Sequence, residues 1–65
     1  MNKRELTTAL AKAVVNNWIA TGDQPEENRG QYERTMQRVY SRGGLSMASL
    51  RVMLNQLTYP KGTGE

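Results

Sequence analysis

Apolar side chains recur along this chain at helical intervals, in three segments separated by glycine and proline. The pattern predicts helices over about residues 3–20, 24–42 and 46–57. The alternation of apolar and polar residues that is typical of half-buried strands is absent from the sequence. Three amphipathic helices with short connections indicate an all-α fold, a small three-helix domain. We expect residues 1–59 to form this single domain and residues 60–65 to be a disordered tail.

The first predicted helix begins with a capping signal, because Asn2 is followed three residues later by Glu5. Its apolar residues recur every three or four positions and should face the core. This stripe and its two flanking residues are Leu6, Leu10, Ala13, Val14, Trp18, Val15 and Ile19. The helix should end near Gly22, because glycine adopts the left-handed conformation that terminates many helices.

The second predicted helix starts near Asp23 and Glu26, which have capping spacing, with Pro25 in its first turn. Its predicted apolar face consists of Tyr32, Met36, Val39 and Tyr40. Gly30 in the interior costs up to about 1 kcal/mol relative to alanine. Either the helix is frayed before Gln31, or another group packs closely against Gly30.

The third predicted helix has the clearest start signal. Gly43 and Gly44 stop the preceding helix, and Ser46 is well suited to cap the next one. Leu45 and Leu50 have the spacing of a hydrophobic staple across that cap. The apolar residues of the segment make one helical face: Met47, Leu50, Met53, Leu54 and Leu57. The segment is therefore predicted to be a core helix.

The turn at 43–46 and the helix at 46–57 together resemble the turn and recognition helix of a helix-turn-helix. In that motif the second helix enters the major groove of DNA. The resemblance implies four residues on the groove-facing side: Met47, Ser49, Arg51 and Asn55. The sequence departs from the motif at Tyr40, because such motifs usually carry a small residue four positions before the turn glycine. The second helix is also longer than the first helix of such a motif.

The composition argues against catalysis. Histidine and cysteine are absent, which removes the commonest general base at neutral pH and all thiol chemistry. Asp23, Glu26 and Glu27 cluster at a helix start, where the helix dipole favours negative charge. We therefore expect no enzyme, no cofactor and no metal. No apolar run is long enough to cross a membrane and no signal region follows Met1, so we expect a cytoplasmic protein without membrane contact.

The net charge of +3 is concentrated in the middle of the chain, because residues 29–51 carry five arginines against one glutamate. Arg34, Arg38 and Arg42 are four residues apart and should lie on one side of the second helix. Arg51 extends this charge beyond the turn. Guanidinium groups form paired hydrogen bonds with carboxylates and phosphates. The row is thus either a binding surface for an anionic partner or a solvated basic face.

These observations favour a small non-enzymatic regulatory protein of the inhibitor or adaptor type, docked on an acidic surface of a larger protein. The alternative is a nucleic-acid-binding regulator with a degenerate helix-turn-helix. A third hypothesis is a small homo-oligomeric structural or assembly protein, because a second copy would complete a small core. Short proteins of this kind are typical of phages and plasmids. The predicted binding residues are Arg34, Arg38, Arg42, Arg51, Ser49, Asn55 and Tyr59.

Overall fold

The computed structural model describes residues 1–58, so Tyr59 and the predicted tail at 60–65 lie outside the described residues. Within residues 1–58 the chain forms helices and connecting turns, and no strand. The elements are α1 (Lys3–Ala20), a 3-10 turn (Glu26–Asn28), α2 (Arg29–Arg42) and α3 (Met47–Thr58). The predicted all-α three-helix fold is confirmed.

Both ends of α1 are closed by the signals in the sequence. The Asn2 side chain accepts from the backbone N–H of Glu5 at 2.8 Å, and the Glu5 carboxylate accepts from the backbone N–H of Asn2 at 3.0 Å. At the other end, Gly22 is left-handed with φ of 83°. The N–H of Asp23 then donates to the carbonyl of Trp18 at 2.8 Å, which satisfies one of the last helical carbonyls.

The second helix begins later than the predicted range of 24–42. The backbone of Pro25 is extended, with ψ of 144°, so the chain makes one 3-10 turn before α2 starts at Arg29. Asp23 does not cap this helix, because the residue that precedes α2 is Asn28, and no side-chain capping hydrogen bond is formed there. The predicted start was wrong because the extended backbone of Pro25 and the 3-10 turn over Glu26–Asn28 delay the α-helix to Arg29.

Gly30 is the second residue of α2 and not an interior residue. A methyl group added there would meet one atom within 4 Å, the Arg34 guanidinium nitrogen at 3.6 Å. That distance is an ordinary van der Waals contact. Neither close packing nor a left-handed backbone requires glycine at this position, since the positive-φ glycines within residues 1–58 are Gly22 and Gly44.

We therefore expect Gly30→Ala to stabilise the protein by about 0.5 kcal/mol, because alanine restricts the unfolded chain and favours the helix. Thermal unfolding followed by circular dichroism would measure this change. Gly22→Ala is the matched control and should destabilise the fold, because alanine is strained at positive φ. A lower melting temperature for Gly30→Ala would show that the absence of a side chain at this site is required.

Helix α1 is the central element of the fold. Leu6 and Leu10 of α1 and Leu50 of α3 form the buried core, each at most 2% exposed. A second buried row on α1 consists of Thr7, Ala11 and Val15. Two rows are needed because α1 packs against both α2 and α3, whereas direct contacts between α2 and α3 are sparse. The predicted stripe identified the first row and placed Val15 only at its edge.

The start of α3 follows the sequence signals closely. The Ser46 hydroxyl accepts from the backbone N–H of Ser49 at 3.1 Å, as a capping side chain should. Leu45 packs against the cluster that contains Leu50, which is the arrangement expected of the staple. Met47 also packs against this cluster. Its side chain therefore belongs to the core and not to the groove-facing set that the helix-turn-helix resemblance implied.

Helix α2 covers α1 without burying any of its own side chains completely. Tyr40 is half-buried against the core cluster, and this burial raises the pKa of its hydroxyl. Val39 is 52% exposed, so its predicted place on the inner face was wrong. The predicted apolar face is wider than the strip that a single neighbouring helix can cover. None of the helices described here is both long and apolar enough to cross a membrane.

Candidate functional site

Helices α1 and α2 are antiparallel, and side-chain contacts set their register. The Gln37 amide donates to the Thr8 hydroxyl at 2.7 Å. Near the C-terminal end of α1 and the N-terminal end of α2, the rings of Trp18 and Tyr32 meet edge to face, with centroids 6.4 Å apart. This register brings the N-terminal turn of α1 beside the C-terminal turn of α2, where Ser41 lies.

The register also brings together cations from distant parts of the chain. The predicted α2 row of arginines is exposed, and α1 adds three exposed cations of its own. We call these six side chains the basic surface: Lys3, Arg4, Lys12, Arg34, Arg38 and Arg42. Lys12 and Arg34 line one groove between the helices, and Lys3 and Arg4 line another with Ser41. Within residues 1–58, none of the six has a carboxylate within 4.0 Å.

Arg29 does not belong to the basic surface, although it contributes to the positive charge of the middle segment. Its guanidinium donates to both carboxylate oxygens of Glu26, one of them at 3.1 Å, and also to the amide oxygen of Asn16. Hydrogen bonding to Arg29 lowers the pKa of Glu26, and the same bond raises the pKa of Arg29. Glu33 lies 3.9 Å from this guanidinium. Arg29 therefore joins α1, the 3-10 turn and α2.

Acidic and basic groups are separated along the helix pair. Asp23, Glu26 and Glu27 precede α2, at the opposite end of the pair from Lys3 and Arg4. Between residue 34 and the end of α3 the sequence contains no acidic residue. Among residues 1–58, the carboxylate in the first turn of α1 is that of Glu5, which is held by the α1 cap, and Glu33 lines the groove of Lys12 and Arg34. The protein therefore presents one predominantly basic end, which attracts and orients anions.

The predicted binding residues of α3 occupy a different position. Ser49, Arg51 and Asn55 are exposed, and the Ser49 hydroxyl accepts from that of Ser46 at 3.1 Å. Arg51 is not among the residues that line the two grooves between α1 and α2. The predicted contact at Tyr59 lies outside the described residues.

The packing of α2 and α3 differs from that of a helix-turn-helix pair. In that motif the two helices pack directly on each other across the turn. Here both helices pack on α1 and touch each other little. The turn itself has the expected left-handed Gly44, with φ of 70°. The local resemblance at the turn is thus not accompanied by the helix packing that presents a recognition helix.

Three grooves on the basic surface are large enough to hold a small anion. One of about 340 Å³ lies on α1 alone and includes a carboxylate in its lining: Arg4, Glu5, Thr8, Ala9 and Lys12. The other two lie between α1 and α2. The first, of about 150 Å³, is lined by Thr8, Ala11, Lys12, Gly30, Glu33, Arg34 and Gln37. The second, of about 220 Å³, is lined by Lys3, Arg4, Thr7 and Ser41. The second differs from the first in having no carboxylate in its lining. Across residues 1–58, no group of three or more acidic, histidine or cysteine side chains is arranged to hold a metal ion.

No protein-family model, curated protein or solved structure matches this chain. A fold of three short helices does not by itself imply an activity, so the features that bear on function are those of the surface.

The sequence pattern did not predict the α1 half of the basic surface, which consists of Lys3, Arg4 and Lys12. Residues 1–28 carry more acidic than basic side chains, so charge summed along the chain shows no basic patch there. The short loop between the first two helices does carry the missing signal, because it implies antiparallel neighbours. Pairing the start of one helix with the end of the next places Lys3 and Arg4 near Ser41, the residue before Arg42.

Proposed function

We propose that this protein is a small, non-enzymatic regulatory protein that docks on an acidic surface of a larger protein through the basic surface. The observation that carries this proposal is the presence of six exposed cations on two packed helices, without a carboxylate partner among residues 1–58. Like charges at i, i+4 spacing destabilise a helix slightly. An anionic partner that neutralises the arginine row would remove this repulsion, so the helix would be more stable in the complex than in the free protein.

An exposed apolar side chain next to the cations favours a protein partner. Val39 is 52% exposed and lies on α2 between Arg38 and Arg42. Protein interfaces commonly combine apolar contacts with a polar rim, and arginine is enriched in them. Docking of this kind would bury Val39 while the arginines pair with carboxylates around it.

The separation of charge supports fast and salt-sensitive association. A basic end on a small protein steers it toward an acidic partner before contact, which raises the association rate. Exposed charges are screened over about 8 Å at physiological ionic strength. The proposal therefore requires partner binding to weaken as salt is raised.

The alternative function is nucleic-acid binding, and one observation favours it. Residues 34–58 contain no acidic residue, so most of α2 and all of α3 carry no carboxylate of their own to repel phosphates. Each phosphate neutralised on a duplex contributes about 0.9 to the slope of log affinity against log salt. Several phosphate contacts would therefore produce a steep salt dependence.

Neutralising Arg34, Arg38 and Arg42 together with glutamine should abolish capture of the protein partner and leave the fold intact, because all three side chains are exposed. The immobilised protein would be incubated with a nuclease-treated extract of its source cells, and retained proteins identified by mass spectrometry. We expect a specific acidic protein that is retained by the unaltered chain, eluted by moderate salt and lost with the triple variant. Circular dichroism of the variant checks the fold.

The same two proteins would then be tested against a labelled random DNA duplex and a single strand at two salt concentrations. Nuclease-resistant capture combined with weak DNA binding supports the protein-docking proposal. Capture that disappears after nuclease treatment, with micromolar and steeply salt-dependent DNA binding, would replace it with the alternative. Equal retention by the unaltered chain and the triple variant would remove the arginine row from either function.

A further inference from the structure

We propose that the groove lined by Lys3, Arg4, Thr7 and Ser41 is a binding site for an oxyanion of the phosphate class. The site lies where the first turn of α1 meets the last turn of α2. It goes beyond the proposed function, because it assigns one position on the basic surface to a discrete small ligand. It also does not depend on that function, since the site requires no protein partner.

The lining of the groove has the chemistry of an anion site. Lys3 supplies an ammonium group, Arg4 a guanidinium group and Ser41 an exposed hydroxyl. Thr7 is 2% exposed, and its hydroxyl already donates to the carbonyl of Arg4 at 2.8 Å. Thr7 therefore forms a wall of the groove, and its hydrogen bond fixes the side chain against the helix.

The charges around the groove favour an anion with two negative charges. The lining carries two positive groups and no carboxylate. The nearby carboxylate of Glu5 is directed to the helix cap, where it accepts from the backbone N–H of Asn2 at 3.0 Å. Arg42 follows Ser41 directly and adds positive charge at the same end. The positive end of the α1 dipole and the negative end of the α2 dipole both lie here and oppose each other, so the attraction comes from the charged side chains.

Several oxygens are needed to use donors that come from two helices. Lys3 and Arg4 approach from α1, whereas Ser41 approaches from α2. A phosphate has oxygens directed to different sides, so one ion in the groove would accept hydrogen bonds from donors on both helices. The two oxygens of a carboxylate lie in one plane, which suits a single guanidinium better than donors spread over two elements. The arrangement therefore favours phosphate over carboxylate.

The neighbouring groove between the same helices is a weaker candidate. Lys12 and Arg34 line it, but Glu33 lines it as well. The Glu33 carboxylate lies 3.9 Å from the Arg29 guanidinium. Because Arg29 is hydrogen-bonded to Glu26, it neutralises the charge of Glu33 only in part. An anion in that groove would face a carboxylate, whereas an anion beside Ser41 would not.

The test is a titration of the isotopically labelled full chain with inorganic phosphate at pH 7, followed by backbone amide shifts in NMR. Sodium chloride and sodium acetate at equal ionic strength are run in parallel. We expect saturable shifts at Lys3, Arg4 and Ser41 with phosphate, and no saturation with chloride or acetate. Shifts that are the same for all three salts would reduce the effect to screening and overturn the proposal.

Variants locate the site and distinguish specific phosphate binding from attraction by the net positive charge. Arg4→Gln should weaken phosphate binding about tenfold, since it removes a charge-assisted hydrogen bond. Ser41→Ala should weaken it about threefold without changing the charge. Arg51→Gln removes the same charge from α3 and should leave the phosphate affinity unchanged. Equal losses for Arg4→Gln and Arg51→Gln would overturn the site, because net charge alone would then explain the binding.

The failure of this proposal is distinguishable from failure of the proposed function. Loss of phosphate specificity would leave capture of the acidic partner untouched, because the arginine row on α2 is tested there. Pyrophosphate serves as a second probe. It should bind at least as tightly as phosphate if the neighbouring cation Arg42 contributes, and its weaker binding would confine the site to a single phosphate group.

Discussion

Replacing Leu50 with alanine is expected to lower the free energy of unfolding by about 3 kcal/mol, within the range of 2–5 kcal/mol for buried leucines. Leu50 is fully buried and is the α3 residue in the cluster with Leu6 and Leu10. A domain of 65 residues has a total stability of only about 3–10 kcal/mol, by the usual scaling per residue. The substitution therefore removes a large part of the stability, and α3 should separate from α1.

Thermal unfolding by circular dichroism measures this loss, and the melting temperature should fall by about 12–24 °C. Val52→Ala is the matched control on the same helix, because Val52 is 55% exposed. It should change the free energy of unfolding by less than about 0.5 kcal/mol. Similar melting temperatures for the two variants would show that α3 does not dock through Leu50.

The helices themselves were predictable because each carries its own start and stop signals. Asn2 with Glu5, the left-handed Gly22, and Ser46 with its leucine staple all act within a few residues. Local chemistry of this kind is readable from a single sequence. The start of α2 was not predicted correctly, because capping spacing and a proline in the first turn fit both an immediate α-helix and the observed 3-10 turn over Glu26–Asn28.

The burial pattern was predictable only in part, since it depends on how many neighbours a helix has. Leu6 and Leu10 stand out as apolar at helical spacing, and both are in the core. Thr7 does not stand out because its side chain is polar. Its hydroxyl donates to the carbonyl of Arg4 within the same helix, which removes most of the cost of burying it. The prediction for Val39 was wrong in the opposite sense, because α2 packs mainly on α1 and leaves Val39 exposed.

The candidate site depends on tertiary register, which explains why half of it was missed. Three of its arginines lie on one helix face, and helical spacing alone identifies them. Lys3 and Arg4 join them only when α1 and α2 pack antiparallel in the register set by Thr8 and Gln37. Charge summed along the chain also counts Arg29, whose guanidinium is bound by Glu26. Charge has to be counted on surfaces rather than on segments.

Tyr40 packs α2 against the core, so it also contributes to keeping the arginine row of α2 in place. Helix α2 has no fully buried side chain, and Tyr40 is its half-buried contribution to the cluster around Leu10 and Leu50. The helix-turn-helix resemblance has no place for this residue, because a small side chain belongs there. In this fold a large ring fits, since α2 packs on α1 and hardly on α3.

We expect Tyr40→Ala to lower the free energy of unfolding by about 2–4 kcal/mol, near the lower end for large aromatics because the ring is only half-buried. Tyr40→Phe keeps the ring and should cost less than about 1 kcal/mol. Denaturant unfolding of both variants distinguishes the contribution of the ring to stability from that of the hydroxyl. Loss of the ring should also loosen α2 and weaken partner capture through the arginine row, although no arginine is altered. If Tyr40→Ala unfolds like the unaltered chain, α2 is held by its polar contacts with α1, and the ring is not part of the core.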